Sequence, residues 1–352
     1  MEQKKPDDSR VPLPNGTAIR WGTVTGLAGI GLLGPVYEVQ APATPQTANM
    51  ATTLAVREFM PYGLSERVGE DVRPRAGNEA AFDEARDAFA ADAQRLAALD
   101  SLSLLKAIAH WHERGTLLLA LPWVSAPTVA RLVGSSRALI SQAELEAWMR
   151  ALSEALSPMH RGRGVHGRID PHHLRMTTSG RPLLAEPGAA HRALARLLPG
   201  DVLAASPYIA PEQLKIGSAL QIGPWTDVYA LAGVLYFAVS GRHPQRAAER
   251  MVADRQEPLT RLAGREYSHN FLRGIDRALS LIPTLRPASL AQLMGALGIR
   301  ERRRQNRGGG SGGLLTNLPL PHVEEVDIDP TDLMAVGAMA GWAPMRPALR
   351  LL

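Results

Sequence analysis

"HGRIDPHHLRM" occupies residues 166–176 and reads as a loop between two structured segments. A histidine opens it, Asp170-Pro171 marks a turn, and Leu174 to Met176 return to apolar character. Its acid and its histidines are residue types that carry chemistry, yet they stand in an unusual order. The segments on either side decide which frame the loop belongs to. Upstream, "SQAELEAWMRALSEALSPMHRGR" (141–163) predicts an amphipathic helix, with Ser141 as N-cap and Glu144 three residues later. Downstream, "RPLLAEPGAA" (181–190) reads as a proline-marked loop. "WTDVYALAGVLYFAVSG" (225–241) is apolar almost all round and predicts a buried helix. "SLAQLMGALG" (289–298) predicts the last helix.

Further upstream the text changes. Residues 80–98 place Phe82, Ala85, Phe89, Ala93 and Leu96 at helical spacing. Before and after that helix come strand-like stretches. One runs from Ala18 to about Val39, interrupted by "GLAGIGLLGP" (26–35). A second is "TTLAVREFM" (52–60), set off by the loop-like "QAPATPQTANMA" (40–51). Two more, "LLKAIAHWHE" (104–113) and "TLLLALPWV" (116–124), are joined by a hairpin signal at "ERG" (113–115). Strands first and helices after predict two unlike lobes stacked end to end.

Composition bounds the rest. The chain has 352 residues, enough for two lobes with a core each. It has no cysteine, which excludes disulfides, thiolate catalysis and cysteine-ligated zinc. The formal net charge of +5 lacks an aromatic-interleaved basic patch, so no nucleic-acid partner is expected. The longest apolar runs are too short to span a bilayer, so no membrane span is expected. "MEQKKPDDSRVPLPNG" lacks the apolar core of a signal peptide, and a soluble, cytoplasmic chain is expected. The organisation reads as a flexible tail (1–15), a β-rich lobe (16–122) and a helical lobe (123–300). A flexible linker, "ERRRQNRGGGSGG" (301–313), and a C-terminal tail (314–352) follow. The tail carries the apolar run "DLMAVGAMAGWAPM" (332–345), which suggests a segment for a protein partner or one that folds back on the lobes.

In order along the chain stand Gly29-Ile30-Gly31-Leu32-Leu33-Gly34-Pro35-Val36, "LAVREFMP" (54–61), the 166–176 loop, Glu186-Pro187-Gly188, Ala210-Pro211-Glu212, Asp227 with Gly233, and Arg286. In this order and spacing they resemble the protein kinase superfamily, and bacterial serine/threonine kinases in particular, over roughly residues 16–300. The resemblance implies an α+β, bilobal kinase-like fold with a small β-rich N-lobe and a larger helical C-lobe. It implies ATP as cofactor, held with Mg or Mn. The nucleotide-binding set would be Gly29, Gly31, Gly34, Val36, Arg57 and Val124. Arg57 replaces the phosphate-pairing lysine, a change that keeps charge but alters shape. Asp92 stands where the helix glutamate belongs, so an Arg57–Asp92 pair is expected. Leu121-Pro122-Trp123-Val124 would be the hinge; Pro122 removes one donor and Val124 keeps its N–H.

The resemblance also exposes departures. Aligned without gaps on the family loop HRDIKPENILI, His166 and Pro171 match. Arg168 takes the place of the substrate-orienting aspartate, Asp170 that of the lysine, and His173 that of the metal-binding asparagine. A permanently cationic side chain accepts no proton, and a neutral imidazole is a poor oxygen-type magnesium ligand. A two-residue shift would bring Asp170 into the acid's place but would displace Pro171 and the leucine after it. Glu186 occupies the metal-binding aspartate position and is the one retained candidate metal ligand. Scaffold positions are kept: Glu212 and Arg286 would form a buried ion pair, and Asp227 would hold the loop backbone. The expectation is a pseudokinase, a signalling or scaffolding module with residual nucleotide binding at most. The alternative is an active ATP-dependent transferase with atypical residues. His110 and His112 alternate on one strand face, and His172-His173 with Glu186 form a second conceivable metal set. Ordinary strand and loop residues are the simpler reading of both.

Overall fold

The computed structural model describes residues 10–42, 53–135, 140–185, 187–198, 202–214, 220–262 and 266–300. It opens with β1 (Ala18–Ile19), β2 (Gly22–Gly31), β3 (Gly34–Gln40) and β4 (Thr53–Glu58), then the hairpin of β5 (Ser65–Val68) and β6 (Asp71–Pro74). Helix α1 (Glu79–Ala98) follows, then β7 (Ala109–Glu113) and β8 (Thr116–Pro122). The second region contains α2 (Val129–Ser135), α3 (Gln142–Arg161), the short ribbon of β9 (Leu174–Met176) and β10 (Pro182–Leu184), and α4 (Ala189–Leu197). It closes with α5 (Pro224–Ser240), α6 (Ala247–Val252), α7 (Leu259–Leu262), α8 (His269–Ala278) and α9 (Leu290–Ala296).

The first region is an antiparallel sheet of order β1-β2-β3-β4-β8-β7. Alternation in β3 sends Tyr37 and Val39 inward with Leu54 and Val56 of β4. β8 is buried on both faces from Leu117 to Leu121, as a central strand must be. Helix α1 lies on the sheet through Phe82 and Phe89, whose rings meet Phe59 at 5.4 and 5.2 Å. The β7–β8 turn has both Arg114 and Gly115 at positive φ, the geometry that suits the twist of a tight hairpin.

Four readings change. The glycine segment does not interrupt a strand: β2 runs unbroken to Gly31, with irregular register between Val24 and Gly26 and between Leu27 and Gly29. Residues 10–15 are not a loose tail. The Arg10 guanidinium donates to the carbonyls of Gly31 (2.7 Å) and Met60 (3.3 Å) and stacks on Tyr62. Leu13 is buried and its N–H donates to the Tyr37 hydroxyl at 2.9 Å. "RPLLAEPGAA" is not all loop either, since β10 and the start of α4 lie in it. The 65–74 hairpin had no clear alternation in sequence. Residues 104–108 precede β7; Leu104 and Leu105 contact Leu184 backbone instead of extending the strand.

In the helical region the Ser141–Glu144 capping box forms. Helix α5 is buried from Thr226 to Val239, and α2, α7, α8 and α9 pack against it. Glu212 and Arg286 make a two-pronged ion pair at 2.8 and 3.1 Å, both side chains fully buried. Arg286 also lies over the Tyr229 ring and donates to the carbonyls of Trp225, Ser280 and Leu281. Thr226 donates to Glu212. A pair this completely bonded is costly to break on one side. Glu212→Ala is expected to lose about 3–5 kcal/mol in urea unfolding, and a Glu212→Leu, Arg286→Met double variant is expected to recover part of that loss.

Candidate functional site

Asp227, in the first turn of α5, organises the 166–176 loop. Its carboxylate accepts the backbone N–H groups of His166 (2.8 Å) and Gly167 (2.7 Å) and the His160 Nε2–H (2.8 Å). Burial pushes this carboxyl up. The His160 hydrogen bond, the nearby His166 and His160 and the Gly167 N–H outweigh it, so the group sits below the ordinary aspartate range. Gly167 has φ +68°, and a Cβ there would collide with the Arg192 guanidinium. Buried His166 turns Nε2 toward the Ala185 carbonyl (3.1 Å), and its own carbonyl accepts from Gly188 N–H at 2.7 Å. Loop and 185–188 segment are thus tied at two points.

Arg168, Asp170 and His173 are brought together. Arg168 Nη2 lies 2.8 Å from His173 Nε2, and His173 Nδ1 lies against Asp170 Oδ2. A guanidinium only donates, so Nε2 accepts and the ring proton is on Nδ1, donated to Asp170. Asp170 Oδ1 accepts from His172 N–H (2.8 Å) and His173 N–H (3.1 Å). Burial pushes the Asp170 carboxyl up, but His173, the His172 N–H and Arg168 pull it below the ordinary value. Both ring nitrogens of His173 and both oxygens of Asp170 are therefore engaged. Those groups do not fit a divalent metal. Among the described residues no group of three His, Asp or Glu side chains is placed to hold one. Glu186 lies outside the described residues, as do the 301–313 linker and the 314–352 tail. His110 and His112 stay on β7, and His172 is exposed beside His243.

Above the loop lies the glycine hairpin. Gly29 and Gly31 end β2, and Gly34 and Val36 begin β3. The tip is tied down: Leu33 is buried, its carbonyl accepts from Met60 N–H (2.8 Å), and the Leu32 carbonyl accepts from Tyr62 N–H (2.9 Å). Gly34 sits where a Cβ would strike the Glu58 carbonyl. Arg57 pairs with Val36 in register, and its Nη1 donates to the Gly34 carbonyl at 3.3 Å. Val124 is half-buried, and its N–H meets no acceptor among the described residues.

The expected Arg57–Asp92 pair does not form. Asp92 instead accepts the Ala190 N–H (2.9 Å) and pairs with Arg95 (3.0 Å). Helix α4, packed along α1, brings that N–H to the carboxylate, a favourable place for negative charge. The shorter aspartate reaches the helix end rather than the strand. Sequence reading missed two residues of α4. His191 is 5% exposed, and neither ring nitrogen has a partner among the described residues. Burial first, then Arg168, Arg57, His173 and Arg192, hold it neutral well below the usual imidazole range. Arg192 lies against Gly167 with Nη1 buried and unpartnered among the described residues. The spacing of Ala190, Leu194 and Leu197 was the available signal for this helix.

No family model matches the chain. Serine/threonine-protein kinase PknK of Mycobacterium tuberculosis is 30% identical over 177 residues, covering 48% of this chain and 15% of that protein. Serine/threonine-protein kinases drp72 of Corynebacterium efficiens is 30% identical over 128 residues, covering 36% of this chain and 24% of that protein. This chain thus spans less than a quarter of the length of either relative. Among solved structures, the apo form of PpkA-294 matches with a TM-score of 0.69 and 27% identity, over 81% of this chain and 99% of that one. This chain is a protein kinase-like superfamily member. The kinase domain of Mycobacterium tuberculosis PknI shares the fold, with a TM-score of 0.58 at 22% identity over 82% of this chain. The bilobal kinase-like architecture, β-rich first and helical second, follows. Among the described residues no helix is long and apolar enough to cross a membrane.

Buried His166 and His191 both titrate below the free imidazole value, burial being the main cause. The unfolded chain takes up their protons near pH 6.5 and the folded chain does so lower. Folded stability is therefore complete above about pH 6.5 and falls as pH drops below it, by up to ~1.4 kcal/mol per pH unit for each group. Urea melts from pH 7 to 5.5 are expected to show that slope, and His191→Phe is expected to flatten it.

Proposed function

We propose that this kinase-fold chain is a pseudokinase, a non-catalytic signalling or scaffolding module. One observation carries the reading: the Arg168–His173–Asp170 chain of hydrogen bonds. By the gapless alignment, Arg168 and His173 stand where phosphoryl transfer needs a substrate-orienting carboxylate and an oxygen ligand for the metal. Arg168 cannot accept a hydroxyl proton. The His173 lone pair is spent on that arginine. Asp170, the alternative acid, is consumed by two backbone N–H groups and an imidazole. Each group satisfies another, so the loop is held as scaffold.

Nucleotide binding is a separable matter. Bound ATP would supply a phosphate tail to Arg57 under the glycine hairpin and an adenine edge to the Val124 N–H. The chain's residues would then position a ligand without acting on it. The relatives' kinase names suggest a signalling setting, which fits a cytoplasmic module that works through a protein partner. The 314–352 tail, with its apolar run after a glycine-rich linker, is the proposed contact segment.

The full chain, incubated with γ-labelled ATP, Mg or Mn and a generic acceptor protein, is expected to transfer no label to itself or to the acceptor. Metal-dependent transfer that disappears in Glu186→Ala would overturn the reading. Deleting 314–352 is expected to abolish partner capture while leaving the melting temperature of the lobes unchanged.

A further inference from the structure

In the helical region Arg242 pairs with Glu257, Arg246 with Glu249 and Arg250 with Asp254. Two arginines of α8 are not matched in this way. Arg273 and Arg277 are exposed and lie one helical turn apart, so they share a face. Neither has an ion-pair partner among the described residues; Arg277 spends its Nε–H on the Leu285 carbonyl at 3.3 Å. Asp276 turns its carboxylate to Leu259 and Thr260 of α7 instead. Both arginines line an open groove of about 480 Å³ between α8 and α9, with Gly274, Gly295 and Gly298 among its walls. The glycines keep it empty. Gly274 brings α8 against α9: a Cβ there would lie 2.6 Å from the Ala296 carbonyl oxygen. A Cβ on Gly295 would meet nothing within 4 Å. Gly298, at φ +74°, turns the chain out of α9. Ile299 is then buried, with its N–H on the Met294 carbonyl at 2.9 Å. Arg300, the last described residue, is thus a third exposed arginine close to the groove.

The sequence beyond Arg300 carries the opposite charge at a matching spacing. Residues 324–332, EEVDIDPTD, hold all the acids of 314–352. Glu325, Asp327 and Asp329 alternate there with Val326 and Ile328. In an extended segment alternate residues share a side and repeat about every 6.5–7 Å. Residues four apart on a helix repeat about every 6 Å. Two successive acids therefore reach both arginines at once. Residues 301–323 tether the acids to α9. A glycine-rich stretch of that length spans about 25–30 Å on average, which holds the acids near the groove at roughly millimolar concentration. We infer that the groove between α8 and α9 is the docking site of this chain's own segment 324–332. Docking brings the apolar run at 332–345 to the mouth of the groove. Exposed charge pairs are individually weak, so the docking is reversible and adds little to the melting temperature of the lobes. The inference goes beyond the proposed function and holds whether or not the 166–176 loop transfers phosphate.

The chain has no cysteine, so an introduced pair reads proximity directly. In the full chain, Ala291→Cys on the exposed side of α9 and Thr331→Cys in the acidic segment are allowed to oxidise at low protein concentration. The rate of the within-chain disulfide is read on non-reducing gels. It is expected to fall about fivefold when Arg273→Gln and Arg277→Gln are added, the scale of two exposed charge pairs. Gly295→Gln fills the groove without changing charge and is expected to slow the bond as much. Raising salt from about 0.05 to about 0.5 M is expected to slow it in the parent and not in the double arginine variant. A second pair, Ala291→Cys with Ser311→Cys, stops short of the acids. It is expected to keep one rate throughout, which excludes a general change in thiol reactivity. If Gly295→Gln does not fold, the two exposed arginine substitutions decide alone. Equal rates in the parent and in the double arginine variant overturn the docking. So does a disulfide formed only between chains, which would assign the groove to the segment of a second copy.

Discussion

Asp227 is a carboxylate with no access to water, and the candidate site is arranged around it. An isolated ionised carboxylate in that position would be prohibitive. It persists because two loop N–H groups and one imidazole are aimed at it. The dependence is mutual. Gly167 adopts a left-handed backbone conformation that presents its N–H to the carboxylate, and His166 is drawn into the core alongside. The Glu212–Arg286 pair, with Thr226 bonded to Glu212 one residue before Asp227, fixes the start of the same helix. One continuous set of charge-assisted bonds therefore runs from the 210–213 segment through α5 to the 166–176 loop.

That frame explains how the 166–176 loop keeps its shape independently of most of its side chains. Backbone N–H groups at 166 and 167 carry the attachment, so side chains at 168, 170 and 173 can vary without loosening it. In this chain they have been recruited to bond one another. The result is locally well satisfied: a guanidinium, a single-tautomer imidazole and a depressed carboxylate in series. The unmet groups lie one layer away, on α4, where His191 and Arg192 carry buried nitrogens.

The fold was legible because its cues are local and ordered. Helical spacing from Phe82 to Leu96, the Ser141–Glu144 cap and the all-round apolarity of 225–241 each dictate an element without outside help. Ala210-Pro211-Glu212, Asp227 and Arg286 then fix their mutual frame. What escaped was set by contacts distant in sequence. Glu186-Pro187-Gly188 reads as a loop, yet its proline and glycine are the punctuation before α4. Asp92 was matched to Arg57 by position, but its partner is an amide 98 residues away that exists only once α4 forms. Arg10 looked like part of a polar tail because carbonyl oxygens, its actual partners, leave no trace in a sequence.

Arg10 couples the chain's beginning to the glycine hairpin in a mechanical sense. One guanidinium grips a carbonyl at the end of β2 and another just past β4. Tension applied upstream of residue 10 is therefore delivered to the hairpin tip before it reaches any hydrophobic core. The two grips also set a sequence of events during synthesis. The strap has nothing complete to hold until Met60 has left the ribosome, so Arg10 waits for a partner 50 residues further along the chain.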